Sequence, residues 1–219
     1  LSSVPVGKII RLTDGSLFSI GIVKPNESPD REKNEGMLFS SINDGETWNE
    51  VPFSTPDHNL IPAPTGALIC TKAGTIILAY ANLGEKYFTW DDATMDAPGS
   101  ILPTYVMRST DKGKSWSSME KLHDDWTGAT RDIIQTDSGR VCFTSMKMLS
   151  HPGRHSVLTY STMDDGKTWK PSNVLDMGGR GHHGGITEST IVELNDGRLM
   201  QYIRTNWGCF WRAESVDDG

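Results

Sequence analysis

Glu188 and Arg204 lie on either side of one predicted hairpin, and their types and spacing could do chemistry. Glu188 stands immediately before the apolar run Ser-Thr-Ile-Val-Glu-Leu, and Arg204 closes the run that follows the Asn-Asp-Gly turn. A hairpin folds its two ends together, so both side chains fall at one end of adjacent strands. A paired Glu and Arg there either bind and polarise a carboxylate-bearing substrate or tie the hairpin as a salt bridge. His182 and His183 precede them in the loop Gly-Gly-Arg-Gly-His-His-Gly-Gly. Glycine lets a backbone approach a ligand closely and histidine titrates near neutrality, so this loop lines a ligand or is simply solvated. Arg131 and Asp132 open another apolar run, one and two residues past the position equivalent to Glu188. They face the same ligand or form a strand-end ion pair.

Of the seven tryptophans, Trp207 follows Arg204 closely and is the candidate for stacking on a sugar ring. Trp90, Trp126 and Trp211 have no assigned role. His151 and His155, in Ser-His-Pro-Gly-Arg-His, are expected on a loop surface. Adjacent histidines point apart on an extended chain, so His182 and His183 do not make a zinc pair. No metal or other cofactor is expected.

These residues must be positioned by a repeat. Ser-Thr-Asp-Lys-Gly-Lys-Ser-Trp at Ser109 recurs as Ser-Ile-Asn-Asp-Gly-Glu-Thr-Trp at Ser41 and Thr-Met-Asp-Asp-Gly-Lys-Thr-Trp at Thr162, and begins again at Ser215. Asp and Gly make a tight turn, the flanking Ser and Thr add side-chain to backbone hydrogen bonds, and Trp covers the hairpin. A second repeat alternates with the first. Ile-Ile-Arg-Leu-Thr-Asp-Gly-Ser-Leu-Phe-Ser-Ile at Ile9 has counterparts at Ala67, Asp132 and Thr190, with turn glycines Gly15, Gly74, Gly139 and Gly197. Each is an apolar run, a turn and a second apolar run, which is a β-hairpin signature. One unit is then hairpin, loop, strand, octapeptide turn and strand, in about 60 residues, the size of a four-stranded propeller blade. Twenty-two Gly and eleven Pro interrupt any helical period. The predicted fold class is all-β, a β-propeller of four-stranded antiparallel blades. The innermost strand ends of a propeller face a central channel. Nine residues before the turn glycines stand Val6, Thr65, Thr130 and Glu188, and only the last is charged.

A chain of 219 residues, 36% hydrophobic and 22% charged, is large enough for a sizeable core. A net charge of −7 without Lys/Arg runs argues against a nucleic-acid partner. No apolar stretch approaches the length of a membrane span. The three cysteines, Cys70, Cys142 and Cys209, are expected as buried reduced thiols.

The octapeptides resemble the Asp boxes, or BNR repeats, of sialidases. The segment from Glu188 through Ile-Val-Glu-Leu-Asn-Asp-Gly-Arg-Leu to Arg204 resembles the sialidase segment carrying an active-site Glu and the second Arg of a carboxylate-binding triad. The resemblance implies a six-bladed propeller, of which residues 1–219 supply about four blades as a single domain. The units run roughly 1–60, 61–125, 126–180 and, in part, 181–219. It implies an exo-acting glycoside hydrolase that retains configuration through a Tyr nucleophile, outside the two-carboxylate scheme. The substrate is then a glycan or glycoconjugate with a terminal acidic sugar such as sialic acid. By that carry-over Glu188 tunes the nucleophile and Arg204 binds the carboxylate. The catalytic Asp is Asp30, in Lys-Pro-Asn-Glu-Ser-Pro-Asp-Arg-Glu, with Asp96 as a rival. Where the family has an Arg-Ile-Pro motif this chain reads Ser-Val-Pro-Val-Gly. The third Arg and the Tyr would come from blades after Gly219. The alternatives are a propeller hydrolase for a different sugar and a non-catalytic glycan-binding propeller. The resemblance favours a secreted or periplasmic protein.

Overall fold

The computed structural model describes residues 7–23, 35–51 and 66–217. Strand residues dominate it, and among the described residues the one helical element is a 3-10 turn, Leu83–Glu85. The first sheet runs in the order β1 (Ile9–Arg11), β2 (Leu17–Val23), β3 (Glu35–Ser41), β4 (Asn49–Val51). The second is β5 (Ala67–Cys70), β6 (Ile76–Ala81), β7 (Thr104–Ser109), β8 (Glu120–His123). The third is β9 (Ile133–Gln135), β10 (Val141–Leu149), β11 (Arg154–Thr162), β12 (Lys170–Pro171). The fourth has three strands, β13 (Ile186–Glu193), β14 (Leu199–Thr205) and β15 (Trp211–Ser215). All neighbouring strands within these sheets are antiparallel.

The same turn opens every sheet. Gly15, Gly74, Gly139 and Gly197 have φ between +82° and +94°, which only glycine adopts without strain. Their amides donate to Leu12, Thr71, Thr136 and Leu194 carbonyls at 2.8 to 3.0 Å. The octapeptides are equally uniform. In the second sheet Ser109 Oγ accepts from Gly113 N at 2.9 Å and donates to Asp111 Oδ1 at 2.8 Å, and Asp111 accepts from Ser115 N and Oγ at 2.9 and 2.6 Å. Thr162, Asp164, Gly166 and Thr168 repeat this pattern in the third sheet. Ser41, Asn43, Gly45 and Thr47 repeat it in the first, with an amide in place of the carboxylate. The hydrogen bonds from Ser115 and then Ser109 hold the Asp111 carboxyl down at about 2.

Alternation along each central strand fastens a sheet to both neighbours. Ile76, Leu78 and Tyr80 of β6 join Phe18, Leu38 and Trp116 in one buried cluster. Ile77 and Ala79, on the opposite face, join Val141, Phe143 and Tyr160 of the third sheet. Met146 and Val157 of that sheet meet Ile186 and Ile203 of the fourth. The octapeptide turns close these interfaces. A Cβ at Gly113 would lie 2.7 Å from the Phe18 ring, and one at Gly166 would lie 2.9 Å from Ile77 Cδ1. The first strands touch in chain order: β1 meets β5, β5 meets β9 and β9 meets β13. Each sheet therefore carries its first strand and opening turn beside those of the next.

None of the three cysteines is in a disulfide, and only Cys142 is fully buried. Cys70 is half-buried, and Cys209 is exposed because it follows a left-handed Gly208 in the β14–β15 turn, where the chain leaves the sheet.

Candidate functional site

Glu188 owes its direction to an irregularity in β13. The register pairs Ile186 with Thr205 and then Ser189 with Ile203, so Thr187 and Glu188 fall in a bulge, and a bulge re-aims side chains. The Glu188 carboxylate sits between two guanidiniums. Arg204 Nη1 of β14 donates to Oε2 at 2.6 Å, and Arg131 Nη2, from the residue pair preceding β9, donates to Oε1. Burial pushes this carboxyl up, but the hydrogen bonds and charges of Arg204 and Arg131 outweigh it and hold it below the usual carboxylate range. The Glu188 side chain is 28% exposed and that of Arg204 63%, so the arginine keeps donors free toward solvent.

Glu188, Thr187 and Arg204 line an open cleft of about 650 Å³. Tyr87, Phe88, Trp126 and Met146 give it apolar surface, and His155, His182 and His183 line it as well. The residues come from the third and fourth sheets, from the long connection after β6, and from the connections that lead into β9 and β13. Phe88 packs against Trp126 at a tilt of 48°, with centroids 4.6 Å apart. His182 sets its ring at right angles to Phe88 at 5.0 Å, to Trp90 at 5.8 Å and to His183 at 4.2 Å.

The histidine loop is folded by its glycines. Gly179, Gly181 and Gly185 all have positive φ, and a Cβ at Gly185 would run into the His155 carbonyl. His155 N donates to Gly184 O at 2.8 Å, and His155 Nε2 donates to His182 O at 3.1 Å. Burial first, with the neighbouring His183, pushes the His182 ring below its ordinary value.

The structure thus gathers His182, His183, Glu188 and Arg204 on one cleft, with Arg131 bound to the Glu188 carboxylate. Asp132 and Trp207 are not among the cleft's lining residues. Asp132 fastens sheets together: it accepts from Thr190 Oγ1 at 2.5 Å and Ile191 N at 3.2 Å, and pairs with Lys8 at 3.2 Å. Trp207 is exposed and packs edge-on against Trp211 at 6.1 Å. Asp30 lies outside the described residues. Its rival Asp96 is buried and accepts from Ala97 N at 2.8 Å and His151 N at 3.1 Å, a loop staple away from the cleft lining.

The expectation for His155 is corrected. His151 is exposed, but His155 is only 6% exposed, because it lies within the long strand β11, where it pairs with Met148 of β10. Sequence reading also missed Tyr87, Phe88 and the role of Trp126. Trp126 stood out only as an unassigned tryptophan. Its place is fixed by the backbone bonds Leu102 N to Asp125 O and Thr127 N to Leu102 O, at 3.3 and 2.9 Å, which no local pattern announces. Among the described residues no group of three or more His, Cys, Asp or Glu side chains could hold a metal ion. No helix among them is long and apolar enough to cross a membrane.

Residues 68–219 match the family model described as the BNR repeat-like domain. The chain belongs to that family. This BNR repeat-like chain is 24% identical over its whole length to a sialidase of Micromonospora viridifaciens, and covers 34% of that protein. It thus spans about a third of the length of the curated relative it matches. Among solved structures, a protein of unknown function from Dyadobacter fermentans superposes with a TM-score of 0.68 at 21% identity, over 97% of this chain and 65% of that one. A Hadza microbial sialidase gives 0.66 at 21% identity, over 98% and 45%. The Trypanosoma rangeli sialidase in complex with 2,3-difluoro-KDN gives 0.63 at 20% identity, over 99% and 36%. At these identities the superpositions establish a shared fold, and the kinship with sialidases expected from the Asp boxes holds.

Proposed function

We propose that this protein is part of a sialidase-like, exo-acting glycoside hydrolase that takes a glycan ending in an acidic sugar such as sialic acid. In this reading the four sheets are blades of a β-propeller that has six blades when complete. The units 1–60, 61–125, 126–180 and 181–219 then form one domain. The carrying observation is the Arg131–Glu188–Arg204 array on a cleft with aromatic walls. Arg204 presents free donors to a ligand carboxylate, and planar guanidiniums suit bidentate binding of that group. Arg131 and Arg204 keep Glu188 ionised, and a fixed carboxylate beside the sugar tunes a nucleophile or stabilises developing positive charge. Phe88 and Trp126 offer flat apolar surface to a sugar ring. Asp30 is assigned the acid/base role on resemblance alone.

The same array also favours a second reading, glycan binding without hydrolysis. Both Glu188 oxygens already accept from arginines, which suits a carboxylate that shapes a binding site. A fluorogenic sialoside assay on the intact protein separates the two. Under the hydrolase reading the wild type turns over, and Glu188→Gln lowers kcat on the order of 100-fold or more with folding unchanged. Binding of the sialoside without turnover in the wild type would favour the second reading. Unchanged turnover in Glu188→Gln would remove Glu188 from the mechanism.

A further inference from the structure

His123, the last residue of β8, does not line the cleft, yet it is bonded to the segment that forms part of the cleft's wall. Its side chain is 9% exposed and bridges the second and third sheets. Nδ1 meets Tyr160 Oη of β11 at 2.7 Å. Nε2 meets Thr127 Oγ1, with Thr104 Oγ1 of β7 at 3.2 Å. Thr104 Oγ1 in turn meets Thr127 Oγ1 at 2.5 Å and Ser145 Oγ of β10 at 3.3 Å. Thr127 is fully buried, so its hydroxyl is held by His123 and Thr104. Its chain neighbours Trp126 and Gly128 both line the cleft, where Trp126 packs against Phe88. The bond from His123 to Thr127 therefore seats that stretch of wall.

The same ring has a second acceptor within reach. Asp125 Oδ1 is closed to solvent, has no hydrogen-bond partner among the described residues and stands 3.9 Å from His123 Nε2. The other Asp125 oxygen pairs with Lys147 Nζ of β10 at 2.9 Å. Burial is the main influence on the ring and pushes its pKa down. Asp125 and Asp124 pull it up, and Lys147 pushes it down. Tyr160, pushed up to about 12 by burial first, keeps its proton throughout. Lys121 of the same strand is engaged by Glu85 and Asp124. A neutral imidazole has one donor and one acceptor nitrogen, which hydroxyls satisfy; a protonated one has two donors and a charge. Of the charged groups around it, Asp125 offers the unpaired oxygen. We propose that His123 is a positioning residue for the cleft: neutral, it seats Trp126 and Gly128 through Thr127, and protonated, it swings Nε2 to Asp125 Oδ1 and releases that wall. This rests on the reading of the cleft as the ligand site and adds its regulation. The sign is that of a base depressed in the folded state. Its contribution is full above the ordinary His value of about 6.5 and is lost as pH falls below it. Binding therefore weakens in acid. His182 and His183, which line the cleft, act oppositely, because their protonation adds positive charge beside an anionic ligand.

The test follows the His123 imidazole and the Trp126 indole N–H by their nitrogen-15 resonances in the intact protein, between about pH 5 and 8. It is run without ligand and with N-acetylneuraminic acid, whose carboxylate stays ionised over that range. The expected result is a Trp126 transition with the same midpoint as His123. Affinity for the acid should fall below that midpoint, by up to about tenfold per pH unit if the acid binds only the seated wall. By reciprocity the bound acid should lower the His123 midpoint, whereas an anion acting through its charge alone would raise it. His123→Gln keeps an amide for the hydroxyls without a titrating charge, and should flatten the Trp126 transition. If that variant fails to fold, the wild-type titrations alone decide. A Trp126 resonance indifferent to the His123 titration, or a His123 midpoint raised by the acid, would overturn this inference and leave the acidic-sugar reading standing. Failure of the acid to bind at any pH would remove the acidic-sugar reading, and the Trp126 transition in the free protein would then decide this inference by itself.

Discussion

Glu188 loses solvation on the β13 bulge and recovers it from two guanidiniums, so its charge depends on both partners. Its carboxyl lies below the ordinary value because Arg204 and Arg131 outweigh burial. The sign follows from linkage: a folded-state carboxyl held down contributes stability above its unfolded pKa and loses it as pH falls through the folded value. A carbon-13 titration of Glu188 should give a midpoint below the ordinary carboxylate value of about 4.3. Arg131→Met removes one partner and should move that midpoint up, narrowing the pH range in which the pair contributes. An unmoved midpoint in Arg131→Met would mean that Arg204 alone holds the charge. The Glu188–Arg204 half of this array was legible in the sequence, because one hairpin with a glycine turn fixes which ends meet. The Arg131 half joins residues 57 apart on different sheets. Position in the repeat marked Arg131 as a neighbour of the Glu188 level, but not as its partner.

The octapeptide turn was the most legible element, because all its bonds lie within eight residues. Asp or Asn supplies acceptors at a fixed offset, Ser or Thr returns a hydroxyl to the glycine amide, and glycine takes the positive φ. Its energetic centre is the hydroxyl rather than the carboxylate. Ser109 is buried, and its Oγ is the acceptor for Gly113 N beneath the Phe18 ring. Ser109→Ala leaves that buried amide unpaired and should cost about 1–3 kcal/mol in chemical denaturation. Lys114→Ala, on the exposed side of the same turn, should stay within about 0.5 kcal/mol. Equal costs would mean that the hydroxyl bond is replaced by water. The cleft was less legible because its aromatic residues sit on irregular connections. Trp207 is near Arg204 in sequence, yet the β14–β15 turn carries it to Trp211. Trp126 is far from Arg204 in sequence, yet the connection from the second sheet to the third carries it onto the cleft that Arg204 lines from the fourth.

At the scale of the whole molecule, each sheet shares a core with its chain neighbours, and stability should be distributed accordingly. Phe18 belongs with Ile76, Leu78 and Trp116 in the cluster joining the first two sheets. Ile186 and Ile203 belong with Met146 and Val157 in the cluster joining the last two. Few contacts connect the ends: Lys8 reaches Asp132, and Asp132 reaches Thr190. An array built from neighbour contacts behaves as a sum of unit and interface terms, and its units open separately. Phe18→Ala deletes a fully buried ring and should cost about 3–5 kcal/mol locally. Native-state hydrogen exchange should then show protection lost in β2 and β6, smaller losses in β10, and β13 and β14 unchanged. The polar ties across the second and third sheets, Thr71 Oγ1 to Asp165 at 2.8 Å and Lys72 N to Gln135 Oε1 at 2.6 Å, set how far the loss travels. An equal loss of protection in all four sheets would mean that they unfold as one unit, with the Asp132 ties coupling the ends more strongly than the neighbour contacts divide them.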